Sequence, residues 1–220
     1  MEANVLRFKH AALAAALSVA LMGASAQAAT FTFAGFGGNL GQTAVFTDGA
    51  HAVTAIAINT EQPPVPSLHQ GIFGLGVNLG HLDSNQIDNV GDDEAIVFDF
   101  GKIVNFESIT LSLSSFWEDY QIWGTNDGSV AACTAGGLGC LTSVSSLIAS
   151  GVGSGLEGFV TVSLMGNAFR YLIATVPGGS GDGYKVKSLT VSEVPVPGAL
   201  VLLLTGLAGL GFAGRRSARP

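Results

Sequence analysis

From residue 30 to residue 191, short runs alternate apolar and polar side chains one by one, with glycine recurring between the runs. A period of two places successive side chains on opposite faces of an extended chain, which describes a strand with one buried face. No helical period in this stretch exceeds two turns. Residues 95–100 and 103–114 are the clearest runs, separated by a Gly101-Lys102 turn, with Ile109, Leu111 and Leu113 directed inward. His51–Asn59 places Val53, Ala55 and Ala57 on one face and Thr54, Ile56 and Ile58 on the other. Weaker runs cover residues 30–33, 44–46, 72–79, 120–124, 143–149, 159–164, 169–176 and 184–191, and prolines at 63, 64 and 66 mark an extended surface loop. About ten short strands at this spacing predict an all-β fold, a β-sandwich or jelly roll, over residues 29–193.

The charge of that region narrows its partners. Residues 29–193 contain four basic side chains (Lys102, Arg170, Lys185, Lys187) against 15 acids, a net charge near −11. Such a surface repels phosphate backbones and anionic lipid, which excludes nucleic acid as a partner.

Both ends of the chain have a different composition. Arg7, Lys9 and His10 precede the apolar run 11–22, and Ala24-Ser25-Ala26-Gln27-Ala28-Ala29 supplies small residues for cleavage. These are the three parts of a cleaved secretory signal, read here as residues 1–28 with signal peptidase as the processing partner. At the other end, residues 194–220 begin Val194-Pro195-Val196-Pro197, continue without a charge from 198 to 214, and finish with Arg215, Arg216 and Arg219. Those 17 uncharged residues reach about 25 Å as a helix, the short limit for a transmembrane helix. The arginines mark the cytoplasmic side.

That order of prolines, Leu/Gly-rich segment and terminal arginines resembles the PEP-CTERM sorting signal. The resemblance implies export through the inner membrane of a Gram-negative bacterium and at least transient membrane anchoring. It further implies processing by an exosortase-type protease and delivery to the cell surface or an extracellular polysaccharide matrix. The usual Pro-Glu-Pro reads Pro195-Val196-Pro197 here, so the enzyme that reads the tail is open. A plain single-span anchor is the alternative. A second, looser resemblance runs through residues 95–191. Phe98-Asp99-Phe100-Gly101, Gly124-Thr125-Asn126-Asp127-Gly128 and Phe169-Arg170-Tyr171-Leu172-Ile173 together look like the galactose-binding-like (discoidin or carbohydrate-binding-module) jelly roll.

Within the central region, Cys133 and Cys140 follow a secretory signal, and a disulfide between them would staple a glycine-rich loop. A zinc pair is the competing reading, with no histidine nearby to complete it. Between residues 83 and 94 Asp, Asn and Gln supply the oxygens that calcium prefers, making Asp83, Asp88, Asp92 and Asp93 candidate ligands. The spacing fails the EF-hand template, and a solvated acidic loop explains the same residues. Trp117 and Tyr120 flank Glu118 and Asp119, an aromatic-plus-carboxylate combination that can stack on a sugar ring and bind its hydroxyls. Adjacent acids on a strand point to opposite faces, which argues against a glycosidase pair. His51, His69 and His81 stand alone, and neither a nucleophile elbow nor a dinucleotide fingerprint is present. The expectation is a non-enzymatic envelope or matrix protein with a binding or structural role and no cofactor other than calcium. The alternatives are a carbohydrate- or calcium-binding module and a glycan-directed hydrolase.

Overall fold

A computed structural model describes residues 27–59, 64–80, 82–89, 93–113, 117–133, 137–153, 158–177, 181–194 and residue 206. The signal segment up to residue 26, the span 198–214, Pro195, Val196, Pro197, Arg215, Arg216, Asp92 and His81 lie outside the described residues, apart from Gly206. Among the described residues no helix is long and apolar enough to cross a membrane.

Gln27–Val194 form one unit. Its strands are β1 (Ala28–Thr32), β2 (Gly38–Asn39), β3 (Thr43–Asp48), β4 (His51–Asn59), β5 (Ser67–Gly71), β6 (Gly74–Asn78), β7 (Ile87–Asp88), β8 (Glu94–Leu113), β9 (Asp119–Thr125), β10 (Ser146–Val152), β11 (Gly158–Thr175) and β12 (Gly183–Glu193). A 3-10 turn (Gly128–Ala132) and one helix, α1 (Gly137–Ser143), separate β9 from β10. All strand pairs are antiparallel.

The two longest strands organise the rest. The first half of β8 lies between β4 and the second half of β11, and β9 and β10 extend that layer. The second half of β8 lies between β12 and the first half of β11; β12 continues this second layer to β1, β6 and β7. The strand expected to stop at a Gly101-Lys102 turn therefore continues from one layer into the other. Gly101 takes a φ of 69°, a conformation open to glycine, and the chain kinks there without breaking. Likewise, the separate runs expected at 159–164 and 169–176 are one strand, with Gly166 at φ 87° between them. Pairing across both sides, which is non-local, overrides the turn signal of each glycine.

Side chains from both layers meet in one core. Ile96, Phe98 and Phe100 of the first half of β8 and Phe106, Ile109 and Leu111 of its second half all belong to it. Keeping Phe106 and Ile109 on the same face requires a break in alternation. Glu107 provides it as an extra residue in β8, since Phe106 and Ser108 pair with consecutive residues of β12. The alternation expected in β4 is present, with Val53, Ala55 and Ala57 buried in this core and Ile58 on the opposite face.

That opposite face of the first layer is also covered. Ala95, Val97, Tyr171 and Ile173 pack under Val130, Cys133 and Leu141 of the 3-10 turn and α1. Cys133 and Cys140 are disulfide-bonded, with 5.9 Å between their Cα atoms, and hold this flap closed. The chain is thus an all-β antiparallel sandwich with a stapled cap on one outer face.

Candidate ligand-binding cleft

The outer face of the second layer is not capped in this way among the described residues. In β11 the inward positions are Val160, Val162 and Leu164, so Phe159, Thr161 and Ser163 face outward. Ser112 and Thr110 of β8 and Lys185 and Thr190 of β12 share that outward parity. The result is a hydroxyl-rich surface: Thr110 and Thr161 meet at 3.0 Å, and Thr30 and Thr190 at 3.1 Å.

At one end of this face the sheet register aligns three unlike residues. Ser112 pairs with Phe159 on one side and Lys185 on the other, which places the three side chains abreast at about 5 Å intervals. Phe73 from the β5–β6 turn and Gln86 from the approach to β7 complete the walls, with Leu113 and Gly158 behind them. They enclose a cleft of about 430 Å³, within the range of about 300–1,000 Å³ usual for small-ligand sites. Phe73 and Phe159 are each about half exposed, so both rings are accessible from solvent.

Lys185 gives the cleft its positive charge, and a second lysine lies over one of its aromatic rings. Lys185 is half-buried; burial lowers its pKa, and nearby Asp83 works in the opposite direction. His69, hydrogen-bonded through Nδ1 to Asn39 at 2.9 Å, lies beside Lys185; burial and then that cation lower its pKa. Lys187 is the extra residue of a bulge between Val186 and Ser188, and its ammonium sits 3.2 Å from the centre of the Phe159 ring. No carboxylate lines the cleft among the described residues.

The residues singled out from sequence do not line the cleft, although Asp83 lies near enough to Lys185 to act on its charge. Trp117 is 78% exposed, but Tyr120 turns into the core and does not share a surface with it. The carboxylate of Glu118 is buried and accepts the Gly183 N–H, so it structures a strand start instead of facing a ligand. Asp83 accepts the N–H groups of Leu79 and Asn85, and Asp88 is buried and accepts the Ser84 hydroxyl. Asp93 is partly buried. Among the described residues no three His, Cys, Asp or Glu side chains form a group able to hold a metal. Val194, the described residue of the sorting motif, is exposed. The cleft residues had one legible signal, a large aromatic at 159 on the parity otherwise occupied by Thr161 and Ser163.

No protein-family model matches this sequence, and no curated protein matches it. Among solved structures the chain is similar to the family 32 CBM from C. perfringens NanJ in complex with galactose, at 16% identity and TM-score 0.35, covering 64% of this chain and 92% of that one. It is also similar to CpGH89CBM32-5 from Clostridium perfringens, in complex with GalNAc-beta-1,3-galactose, at 12% identity and TM-score 0.35, covering 64% and 95%. The C-terminal domain of a chitobiase from Bacteroides fragilis aligns at 14% identity and TM-score 0.34, covering 72% and 99%. Overlap of this degree carries no property of those proteins over to this chain.

Proposed function

We propose that this chain is a non-catalytic saccharide-binding β-sandwich acting outside the cytoplasm, brought there by residues 1–28 and retained or sorted by residues 194–220. The observation that carries the binding reading is the cleft in which Phe159, Ser112 and Lys185 stand abreast opposite Phe73 and Gln86. Exposed aromatic rings stack on the C–H faces of sugars, and hydroxyl, amide and ammonium groups serve their oxygens. The Cys133–Cys140 disulfide supports an oxidising compartment.

Calorimetric titration of the full-length chain with a panel of oligosaccharides tests this reading. At least one oligosaccharide binds, and Phe159→Ala weakens it by tenfold or more, a loss of about 1.4 kcal/mol. Phe159 is 51% exposed, so the variant keeps its fold. Absence of binding across the panel, or equal affinity in the variant, rejects the proposal.

A further inference from the structure

Resting on that saccharide reading, we propose that the ligand of the cleft is an acidic saccharide, whose ring carboxylate is held by Lys185 and Lys187. The four cations of Gln27–Val194 divide into two pairs. Lys102 is bound to Glu193 at 2.6 Å, and Arg170 holds Asp99 through two hydrogen bonds of 2.9 Å. Lys185 and Lys187 form no ion pair among the described residues; Lys185 lines the cleft, and Lys187 lies over the ring of Phe159, which also lines it. Asp83 acts on Lys185 electrostatically without forming an ion pair with it among the described residues, so in a domain with a net charge near −11 one cation on the cleft wall and another over its aromatic ring are available to an anion from outside.

Their positions suit a carboxylate. Lys185 lies on the cleft wall next to Ser112, half removed from water, and burial disfavours its charged form. An arriving anion offsets that cost directly. Lys187 rests on the Phe159 ring. A cation over an aromatic ring is held more weakly than one in a charge-assisted hydrogen bond, so a carboxylate in the cleft draws the ammonium off and frees the ring face for stacking. The two lysines and the two phenylalanines therefore fit one ligand carrying both an anionic group and an apolar ring face. An acidic peptide offers the anion without the ring.

Titration of the full-length chain with trigalacturonic acid, with its carboxyl-reduced galactose counterpart and with a short poly-glutamate peptide tests the proposal. The acidic trisaccharide binds about tenfold tighter than the neutral one. Lys185→Met removes that difference, whereas Lys185→Arg retains the preference. Unchanged thermal melting of both variants shows that the fold is intact. Equal binding of acidic and neutral trisaccharides, or a preference that survives Lys185→Met, overturns acid selectivity and leaves the saccharide reading standing. Binding of neither trisaccharide overturns the acidic-saccharide assignment, and the saccharide reading falls only when no oligosaccharide of the wider panel binds. Poly-glutamate binding as tightly as trigalacturonic acid overturns the assignment to sugars.

Discussion

Asp99 shows how one residue governs the passage between layers. It is the last residue of β8 paired in the first layer, two positions before the Gly101 kink. Its carboxylate takes the Arg170 Nε and Nη2 hydrogens at 2.9 Å each and the Gly101 N–H at 2.7 Å, tying β8 to β11 at the point where both change neighbours. Burial raises the carboxyl pKa, but the Arg170 and Gly101 hydrogen bonds outweigh it, and the net shift is downward. A depressed folded-state pKa means that the pair stabilises the fold fully above the unfolded aspartate value of about 3.9. The contribution is lost as pH falls through the lower folded value. Asp99→Asn is therefore expected to melt a few degrees below wild type at pH 7, with the gap narrowing as pH falls below about 3.9. Melting curves measured across that interval check this, and a gap independent of pH would show that the ion pair is not its source. Gly124 supplies a second residue-scale prediction. A Cβ there would run into the Phe169 ring, so Gly124→Ala costs about 1–3 kcal/mol in urea unfolding through overpacking.

At the scale of elements, the flap over the first layer depends on its staple. The helix α1 has seven residues, two of them glycine, and would not form alone in water. Closing an eight-residue loop by the disulfide is worth about 2.5 kcal/mol in the chain-entropy model. Replacing both cysteines by serine should lower stability by about that amount in denaturant titration. The cleft lies on the other layer, so saccharide affinity should be unchanged, and a parallel loss of binding would contradict this separation. The same element explains much of what the sequence concealed. Alternation revealed β4, β9 and β12, whose apolar positions recur every second residue. It did not reveal β5, whose Ser-Leu-His-Gln-Gly carries little β propensity, nor the two-residue strands β2 and β7, which exist only because β5 and β12 pair with them. The run expected at 72–79 shortens to Gly74–Asn78 because Ile72 and Phe73 form the turn, and the run expected at 143–149 moves to Ser146–Val152 because α1 occupies the chain through Ser143. The cleft was hidden for a related reason. Register brings residues 112, 159 and 185 together and two connections add residues 73 and 86, whereas Trp117 lies exposed in the turn before β9 and Tyr120, close to it in sequence, is buried within that strand.

For the whole molecule, direction along β12 separates two tasks. The strand starts at the cleft, with Lys185 in its first turn of residues, and ends at Glu193, which is pinned by Lys102 and followed by the exposed Val194. Eight residues of extended chain span about 27 Å, so the ligand site and the point where the chain leaves the sandwich are well apart. The start of β1 lies at that same exit, since Ala28 pairs with Ser192. Both segments proposed to direct traffic thus join the sandwich at one end, and the proposed ligand site occupies the other. This arrangement predicts that destination and affinity vary independently. A chain ending at Glu193 should lose membrane retention on fractionation of the producing cells, and its mass should show removal of residues 1–28 as in the full chain. The purified truncated protein should bind the saccharide as tightly as the full-length chain, within about twofold. If the truncated chain reaches the same fraction in the same amount, residues 194–220 do not direct its placement; if its affinity falls, the two ends of β12 are coupled in a way their separation does not provide.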